Sequence, residues 1–274
     1  FLSEDALLEN FYTMLSLFKQ YQITPLFVFD GKPPVEKTDV IWERYYKRKE
    51  AETKYKEIME SFDLQGLSET EKQKEIEKLT GLKRQFVRVT DEDLNTLKQL
   101  FSNFKVSYID APSEADVMCA YLVKSKKAYG CVSDDMDMFA YDCPIVIRKL
   151  NLIHHNCMLY DSRRIKQELE IDHLQDAVVL CGTDYNTGIS WDIDNAIQRY
   201  RFYEDETDRK QTTKQFYEWL LERNFIENEQ LEKLNHVRHM FQVPETMEFV
   251  CTTRQTNWST LQPLLESQGF MFIE

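Results

Sequence analysis

The chain has 274 residues, of which 42% are hydrophobic, and it carries a net charge of −13. This composition supports one large domain or two smaller ones with a buried core, and no apolar run approaches the roughly 20 residues of a membrane span. The acidic balance excludes a protein that coats polyanions non-specifically. Any binding to nucleic acid must therefore depend on a local basic patch.

The six cysteines are scattered along the chain and contain no C-x-x-C pair. They are Cys119, Cys131, Cys143, Cys157, Cys181 and Cys251. In a chain of this length, such a distribution argues against a disulfide framework and against a zinc site. We therefore expect an intracellular protein in a reducing compartment.

Apolar segments of strand length alternate with helix-like segments over the first part of the chain. The pattern predicts strands at 24–29, 106–109, 129–132, 144–150 and 157–160, helices at 3–21, 38–59, 69–79 and 91–104, and a loop at 61–68. Such alternation indicates βαβ units. We predict an α/β fold with a mostly parallel central sheet flanked by helices, followed by a largely helical part from Arg163 onward.

Six carboxylates follow predicted strands or, in one case, a predicted helix. They are Asp30 after the first strand, Glu114 and Asp116 after the second, Asp135 and Asp137 after the third, and Asp184 after a helix. Each acid alone fits a turn or the first turn of a helix. Because ligands bind outside the carboxyl ends of parallel strands, however, the acids should gather at one sheet edge. They would repel one another unless a cation lay between them, which favours Mg²⁺ or Mn²⁺.

Two basic runs flank an acidic helical segment. Residues 32–56 hold eight Lys or Arg against five Asp or Glu, and a second basic run lies at 83–88. Lys37, Arg44 and Arg48 share one helical face if the helix extends back to Lys37. One such run alone usually indicates a solvated helix face. Two runs favour a lid or arch over a polyanion.

Four ordered motifs resemble those of the flap endonucleases, within the wider XPG-type family of 5′-nucleases. The motifs are Val28–Pro34, Asp110–Asp116, Asp134–Asp137 and Gly182–Tyr185, and the likeness covers roughly residues 5–190. The resemblance implies a PIN-like fold. It also implies a site for two Mg²⁺ ions, with Mn²⁺ as a substitute, held by the six carboxylates named above. Such a site would activate a water and stabilise the leaving oxygen of a phosphodiester.

The same resemblance implies roles for the basic residues. It puts Lys37 and Arg44 at the catalytic positions where the arch helix of the family contacts the scissile phosphate. The residues expected to bind DNA are Lys32, Lys47, Arg48, Arg84 and Arg88. The family threads a 5′ single strand beneath the arch and cuts near the junction with duplex DNA. The implied partner is therefore 5′-flap or branched DNA, bound by a nuclear monomer that acts in replication and repair. A sliding clamp is a further candidate partner, although no clamp-binding peptide is visible.

The resemblance also predicts the organisation of the chain. Residues 1–31 and 105–185 form the catalytic α/β core, 32–104 form the helical arch, and 186–274 form a duplex-binding region similar to a helix-hairpin-helix. The N-terminal strand of the family, which ends in another metal-binding Asp, has no counterpart, and we expect it to precede Phe1 in the complete gene.

The hairpin region departs from the family pattern. Trp191, Asp192 and Asp194 stand where the family has small and basic residues and often a K⁺ ion. Acids that face phosphates cost affinity, so we expect weaker gripping of duplex DNA.

Two alternative functions stay open at this point. A catalytically impaired family member could hold branched DNA or a replication partner, as the missing strand and the altered hairpin suggest. A HAD-type phosphatase is suggested by Asp135 and Asp137, which form a D-x-D motif after a strand. That pattern does not account for Asp30 or for the Glu114 and Asp116 pair.

Overall fold

A computed structural model of the protein describes residues 5–60, 69–186, 188–210, 215–253 and 258–266. The predicted loop at 61–68 lies outside these ranges. Within them, no helix is long and apolar enough to cross a membrane. All six cysteines are free thiols, in agreement with the expectation that no disulfide framework is present.

Helices and strands alternate along the first two thirds of the chain. The helices are α1 (Asp5–Gln20), α2 (Thr38–Glu60), α3 (Glu69–Phe86), α4 (Asp91–Phe104), α5 (Ala115–Lys124), α6 (Asp137–Ala140), α7 (Ser162–Leu169), α8 (Leu174–Leu180), α9 (Ile193–Lys210), α10 (Phe216–Glu222), α11 (Asn228–Met240) and α12 (Trp258–Glu266). The strands are β1 (Leu26–Phe29), β2 (Ser107–Asp110), β3 (Cys131–Val132), β4 (Ile145–Asn151), β5 (Asn156–Asp161) and β6 (Cys251–Thr252). The predicted α/β class is confirmed.

Helix α4 has the bounds that its sequence predicts, because local signals fix both ends. Thr90 and Asp93 form a capping box, in which Thr90 Oγ1 accepts from Asp93 N at 3.2 Å and Asp93 Oδ2 accepts from Thr90 N at 2.7 Å. These two bonds satisfy N–H groups that have no partner within the helix. Lys105 ends the helix in the left-handed conformation, with φ 59°.

The described strands form two three-stranded sheets, in the orders β1-β2-β6 and β3-β4-β5. The pair β3–β4 is parallel, as predicted, with Cys131 opposite Val146. The outer strands β5 and β6 pair antiparallel with β4 and β2. A tight turn joins β4 to β5, and only antiparallel strands can be joined so briefly. Strand β6 was not predicted from the sequence.

The chain divides into two compact units. One contains residues 1–27, 37–109 and 251–274, and the other contains residues 28–36 and 110–250. In the first unit, Phe27 stacks on Phe101 with ring centroids 4.2 Å apart, and Phe11 contacts both rings. In the second unit, residues of α5, α6, α8, α10 and α11 form one continuous hydrophobic core.

Helix α2 begins after a short 3-10 turn at Val35–Lys37, so Lys37 precedes the helix. Its second half packs on α3, where Ala51 is buried and the rings of Tyr55 and Phe86 lie 5.3 Å apart. In its first half, by contrast, every residue from 41 to 47 is exposed. The predicted helix 69–79 continues to Phe86, which places the second basic run on α3 and directly after it.

One carboxylate is buried inside the second unit. Asp176 on α8 is 4% exposed, and Arg238 Nε on α11 lies 2.7 Å from its Oδ1, an ion pair that is not aligned as a hydrogen bond. Burial raises the pKa of Asp176, and the charges of Arg238 and His173 offset part of this effect. Arg238 therefore makes the burial of this carboxylate tolerable.

We predict that Arg238→Met destabilises the protein most at alkaline pH. The raised pKa means that the folded state binds more protons than the unfolded chain above the ordinary value of 3.8, so stability falls as pH rises through the folded pKa. Removing Arg238 raises the pKa of folded Asp176 further and widens the pH range over which stability falls. Urea unfolding should show a loss of about 2–3 kcal/mol at pH 8 and a smaller loss at pH 5.

The double variant Asp176→Asn/Arg238→Met is the control, because it carries no titrating group at this position. Its loss of stability should be nearly independent of pH. An equal loss in Arg238→Met at both pH values would contradict this role of the ion pair.

Candidate active site

Asp30 lies directly after β1, as predicted, and its side chain reaches the start of α5. Its Oδ1 accepts a hydrogen bond of 2.7 Å from Ala115 N, the first residue of that helix. The backbone also comes close here, because Gly31 N donates to Ser113 O at 2.7 Å. A Cβ at Gly31 would collide with the backbone of Ala111 and Pro112. The first acidic position is thus joined to the segment that carries the second.

Glu114 and Asp116 lie at the N-terminal end of α5, where negative charge is favoured by the helix dipole. Glu114 is the N-cap residue in an extended conformation and is only 9% exposed. The hydroxyl of Tyr185 donates a hydrogen bond to Glu114 Oε2. Burial and this bond raise the pKa of Tyr185, so the hydroxyl stays a donor. Because Tyr185 follows Asp184, this bond connects the Gly182–Tyr185 motif to the second acidic pair.

The turn that carries Asp184 is built around one buried amide. Asn186 is 0% exposed, its Oδ1 accepts from Thr183 N at 2.7 Å, and its Nδ2 donates to Val179 O at 2.6 Å. Gly182 has φ +98°, a conformation that side chains rarely adopt. The turn therefore has a fixed shape that presents Asp184 beside Tyr185.

Asp135 lies between β3 and α6, and Asp137 is the first residue of α6. Asp135 Oδ1 accepts from Asp137 N at 2.9 Å, and Asp135 N donates to Ser133 Oγ at 3.1 Å. These bonds close a short turn at the start of α6, so the loop is ordered by its own side chains.

The charges of three of the acids affect the pKa of the Tyr141 hydroxyl. Burial is the main cause that raises the pKa of Tyr141, and the charges of Glu114, Asp116 and Asp137 each raise it further. Charges act in this way only over short distances. Tyr141 therefore lies in a region of the second unit that the charges of acids from the second and third clusters reach.

This region suits a hard cation, because the donors are carboxylate oxygens and the local potential is negative. Within the described residues, no three of the carboxylates converge closely enough to enclose an ion. Three of the acids instead accept a hydrogen bond from a neighbouring segment or residue, namely Asp30 from Ala115 N, Glu114 from the Tyr185 hydroxyl and Asp135 from Asp137 N.

Arg148 on β4 holds the loop that carries Asp135, and sequence reasoning missed it. Its guanidinium donates to Asp134 O at 2.7 Å and to Met136 Sδ at 2.6 Å. The next residue, Lys149, has φ +51° at a register shift of the strand, and its N–H donates to Asp134 Oδ1 at 2.8 Å. Bulges next to functional loops often redirect a group in this way. The available signal was an arginine that directly follows three apolar residues of the strand.

The basic candidates lie on different elements of the chain. Arg44, Lys47 and Arg48 lie on α2, Lys37 lies in the preceding turn, Arg84 lies on α3, Arg88 follows α3, and Lys32 lies after Gly31 in the second unit. Lys47 Nζ pairs with Glu43 at 2.5 Å, and Arg48 Nε donates to Arg44 O at 3.0 Å. The structure thus gathers three of the predicted DNA-binding or catalytic residues on one helix.

One acid of the predicted hairpin, Asp192, has a structural role. Asp192 Oδ1 accepts from Asp194 N at 3.0 Å and from Asn195 N at 3.3 Å, at the start of α9. Trp191 N donates to Leu180 O at 2.9 Å, and its half-buried ring packs against the core of the second unit. Asp192 therefore occupies amides that could otherwise bind a phosphate.

Two regions of the chain match models of one known protein family. Residues 2–51 match the XPG N-terminal domain, and residues 105–184 match the XPG I-region. Over these two regions the chain is similar to the XPG family, and the resemblance drawn from the motifs is confirmed.

The similar curated proteins are flap endonucleases. Flap endonuclease 1-B of Xenopus laevis is 32% identical over 171 residues, which cover 61% of this chain and 42% of the relative. Flap endonuclease 1 of Homo sapiens is 34% identical over 168 residues, which cover 60% of this chain and 41% of the relative. The chain thus spans less than half the length of the curated relatives it matches.

Solved structures confirm the 5′-nuclease fold. The catalytic core of Rad2 in complex with a DNA substrate matches with a TM-score of 0.60 and 20% identity, over 95% of this chain and 78% of that one. Flap endonuclease-1 from Methanococcus jannaschii matches with a TM-score of 0.54 and 21% identity, over 94% of this chain and 78% of that one.

We predict that Arg148→Gln loosens the loop from Asp134 to Asp137 without unfolding the protein. The variant loses the charge-assisted bonds to that loop, so its amide hydrogens should exchange roughly tenfold faster by mass spectrometry. Arg164→Gln, which changes an exposed arginine on α7, is the matched control and should leave exchange unchanged. Exchange that stays at the wild-type rate in the loop, or that rises equally along the chain, would contradict the role given to Arg148.

Proposed function

We propose that the protein is a structure-specific 5′-nuclease that hydrolyses DNA at 5′ flaps or at junctions of single strand and duplex, with Mg²⁺ as the metal. The observation that carries this proposal is that contacts connect the segments that bear the acids. Asp30 accepts a hydrogen bond from Ala115 N, Glu114 accepts one from the Tyr185 hydroxyl, and the charges of Glu114, Asp116 and Asp137 all raise the pKa of Tyr141. The curated relatives are flap endonucleases, and structurally similar proteins include human GEN1 with Holliday junction DNA, at a TM-score of 0.58.

The six carboxylates are the residues that would hold two metal ions. These are Asp30, Glu114, Asp116, Asp135, Asp137 and Asp184. Bound Mg²⁺, or Mn²⁺ in its place, would supply an activated water and stabilise the leaving oxygen. The chain itself supplies orientation, because Tyr185 fixes the carboxylate of Glu114 and the Ala115 amide fixes that of Asp30.

The basic residues are proposed to bind the DNA backbone. Lys37 and Arg44 act at the scissile phosphate, and Lys32, Lys47, Arg48, Arg84 and Arg88 bind other phosphates. Because Lys47 is paired with Glu43, which offsets its charge, we expect Lys47 to contribute less to DNA binding than Arg48. Asp192 caps α9, so residues 188–195 should grip duplex DNA weakly and provide little for a K⁺ ion. We assign this activity to DNA replication or repair in the nucleus, where a sliding clamp is a candidate partner.

Asp135→Asn should abolish cleavage while it leaves the fold intact. The amide keeps the shape of the side chain but removes a charge needed to hold the metal, so the single-turnover rate on a 5′-labelled flap with Mg²⁺ should fall by at least about 100-fold. Asp172→Asn, at an exposed aspartate outside the cluster, should cut at the wild-type rate.

Three results of this assay would contradict the proposal. If the Asp135→Asn variant cleaved at the wild-type rate, Asp135 would not be a metal ligand. Flap binding by the wild type without a Mg²⁺-dependent product would indicate a non-catalytic DNA-binding protein. Turnover of a small phosphomonoester without DNA cleavage would indicate a phosphatase.

Lys37→Ala and Arg44→Ala should slow cleavage more than they weaken binding. A cation that contacts the scissile phosphate stabilises charge that develops in the transition state, and its loss typically costs about 100-fold in rate. Flap affinity, measured in EDTA, should change much less. Lys54→Ala on the same helix, where Lys54 pairs with Glu50 at 2.7 Å, is the control and should leave the rate unchanged. Equal losses in affinity and rate would reduce both residues to general phosphate contacts.

A further inference from the structure

Three aromatic side chains are exposed on the first turns of α2. Trp42, Tyr45 and Tyr46 are 53%, 42% and 63% exposed, and Ile41 beside them is 37% exposed. Large contiguous apolar groups at the surface of a soluble protein usually mark a binding site. The function proposed above uses basic residues of this helix and leaves these aromatic residues unexplained.

The three rings form an ordered cluster on one face of the helix. Their spacing of three and four residues places them together. The ring centroids of Trp42 and Tyr46 lie 6.0 Å apart at an interplanar angle of 29°, and Tyr45 meets both rings nearly edge-on, at 5.7 and 5.6 Å. The rings thus support one another while much of their surface stays in contact with solvent.

The segment that carries the aromatic cluster is basic, and one of its cations lies on the aromatic face. Residues 41–49 contain four basic side chains and one acid, Glu43, which is paired with Lys47 at 2.5 Å. Lys49 follows Tyr45 by four residues and Tyr46 by three, so it lies on the same face one turn further along. Aromatic rings bordered by cations are the combination that binds single-stranded nucleic acid, through base stacking and phosphate contacts.

The aromatic face differs from the face assigned to the scissile phosphate. At about 100° per residue, Arg44 lies roughly 150° around the helix from the centre of the aromatic cluster. Lys37 and Arg44 therefore cannot account for the cluster, which is a separate binding surface on the same helix.

We propose that Trp42, Tyr45 and Tyr46 form a stacking platform for the bases of single-stranded nucleic acid, with Lys49 at the adjacent phosphate. The proposal rests on the proposed function in one respect, because the strand it would hold is the 5′ single strand of the substrate. Tyrosine and tryptophan are also enriched at protein interfaces, but lysine is depleted there, so the position of Lys49 beside the rings favours nucleic acid over a protein partner.

The test compares two labelled strands of equal length, oligothymidylate and an abasic deoxyribose-phosphate strand, by fluorescence anisotropy of the full-length protein in EDTA. The wild type should bind the strand with bases more tightly than the abasic strand. Trp42→Ala and Tyr46→Ala should each weaken binding of oligothymidylate by roughly tenfold and leave the abasic strand unaffected. Tyr46→Phe, which keeps the ring, should bind as the wild type does.

Tyr129→Ala is the matched control, because Tyr129 is an exposed tyrosine outside the helix at 75% exposure. It should bind both strands normally. The proposal is overturned if the wild type binds both strands equally. It is also overturned if the aromatic variants bind oligothymidylate with wild-type affinity, and the aromatic face would then be assigned to a protein partner. Binding is measured without metal, so this test is independent of cleavage. If the protein preferred the strand with bases but did not cleave a flap, the proposed nuclease function would be disproved and the stacking platform would stand.

Discussion

The mutual repulsion of carboxylates is the constraint around which the second unit is arranged. Three acids that follow separate strands each accept a hydrogen bond from a donor of the chain itself. Ala115 N–H donates to Asp30, Asp137 N–H donates to Asp135, and the Tyr185 hydroxyl donates to Glu114. Oriented dipoles of this kind lower the cost of assembling like charges before a cation arrives. The same dipoles restrict each carboxylate to one orientation.

Support from neighbouring elements keeps these donors in place. Arg148 and the bulged residue Lys149 bind the loop around Asp134, and the buried amide of Asn186 shapes the turn before Tyr185. Neither group is among the proposed metal ligands. Sites that position several charges depend on such outer contacts, because an ion tolerates only small errors in ligand position.

The sequence predicts features that depend on local chemistry or on topology alone. Helix α4 has its predicted ends because its capping box is formed by Thr90 and Asp93, which are close in sequence. Asp30 was predicted as a site residue from its position after β1, because ligands of α/β folds bind at the carboxyl ends of strands. Contacts between distant segments leave weaker signals. The bond from Tyr185 to Glu114 and the pairing of β6 with β2 join segments that are far apart in sequence. The cap that Asp192 forms at the start of α9 is a local contact, but the sequence analysis did not name it.

Helix α2 shows how a surface can be kept available for a ligand. A helix that buries little apolar surface must obtain its stability locally, and here three Glu–Lys pairs at a spacing of four residues lie along it. In each pair, the hydrogen bond from the lysine lowers the pKa of the glutamate. Because these pairs support the helix, its first turns do not need to pack against another element. The aromatic face at Trp42 can therefore remain exposed without loss of the helix, which is the condition that a binding surface requires.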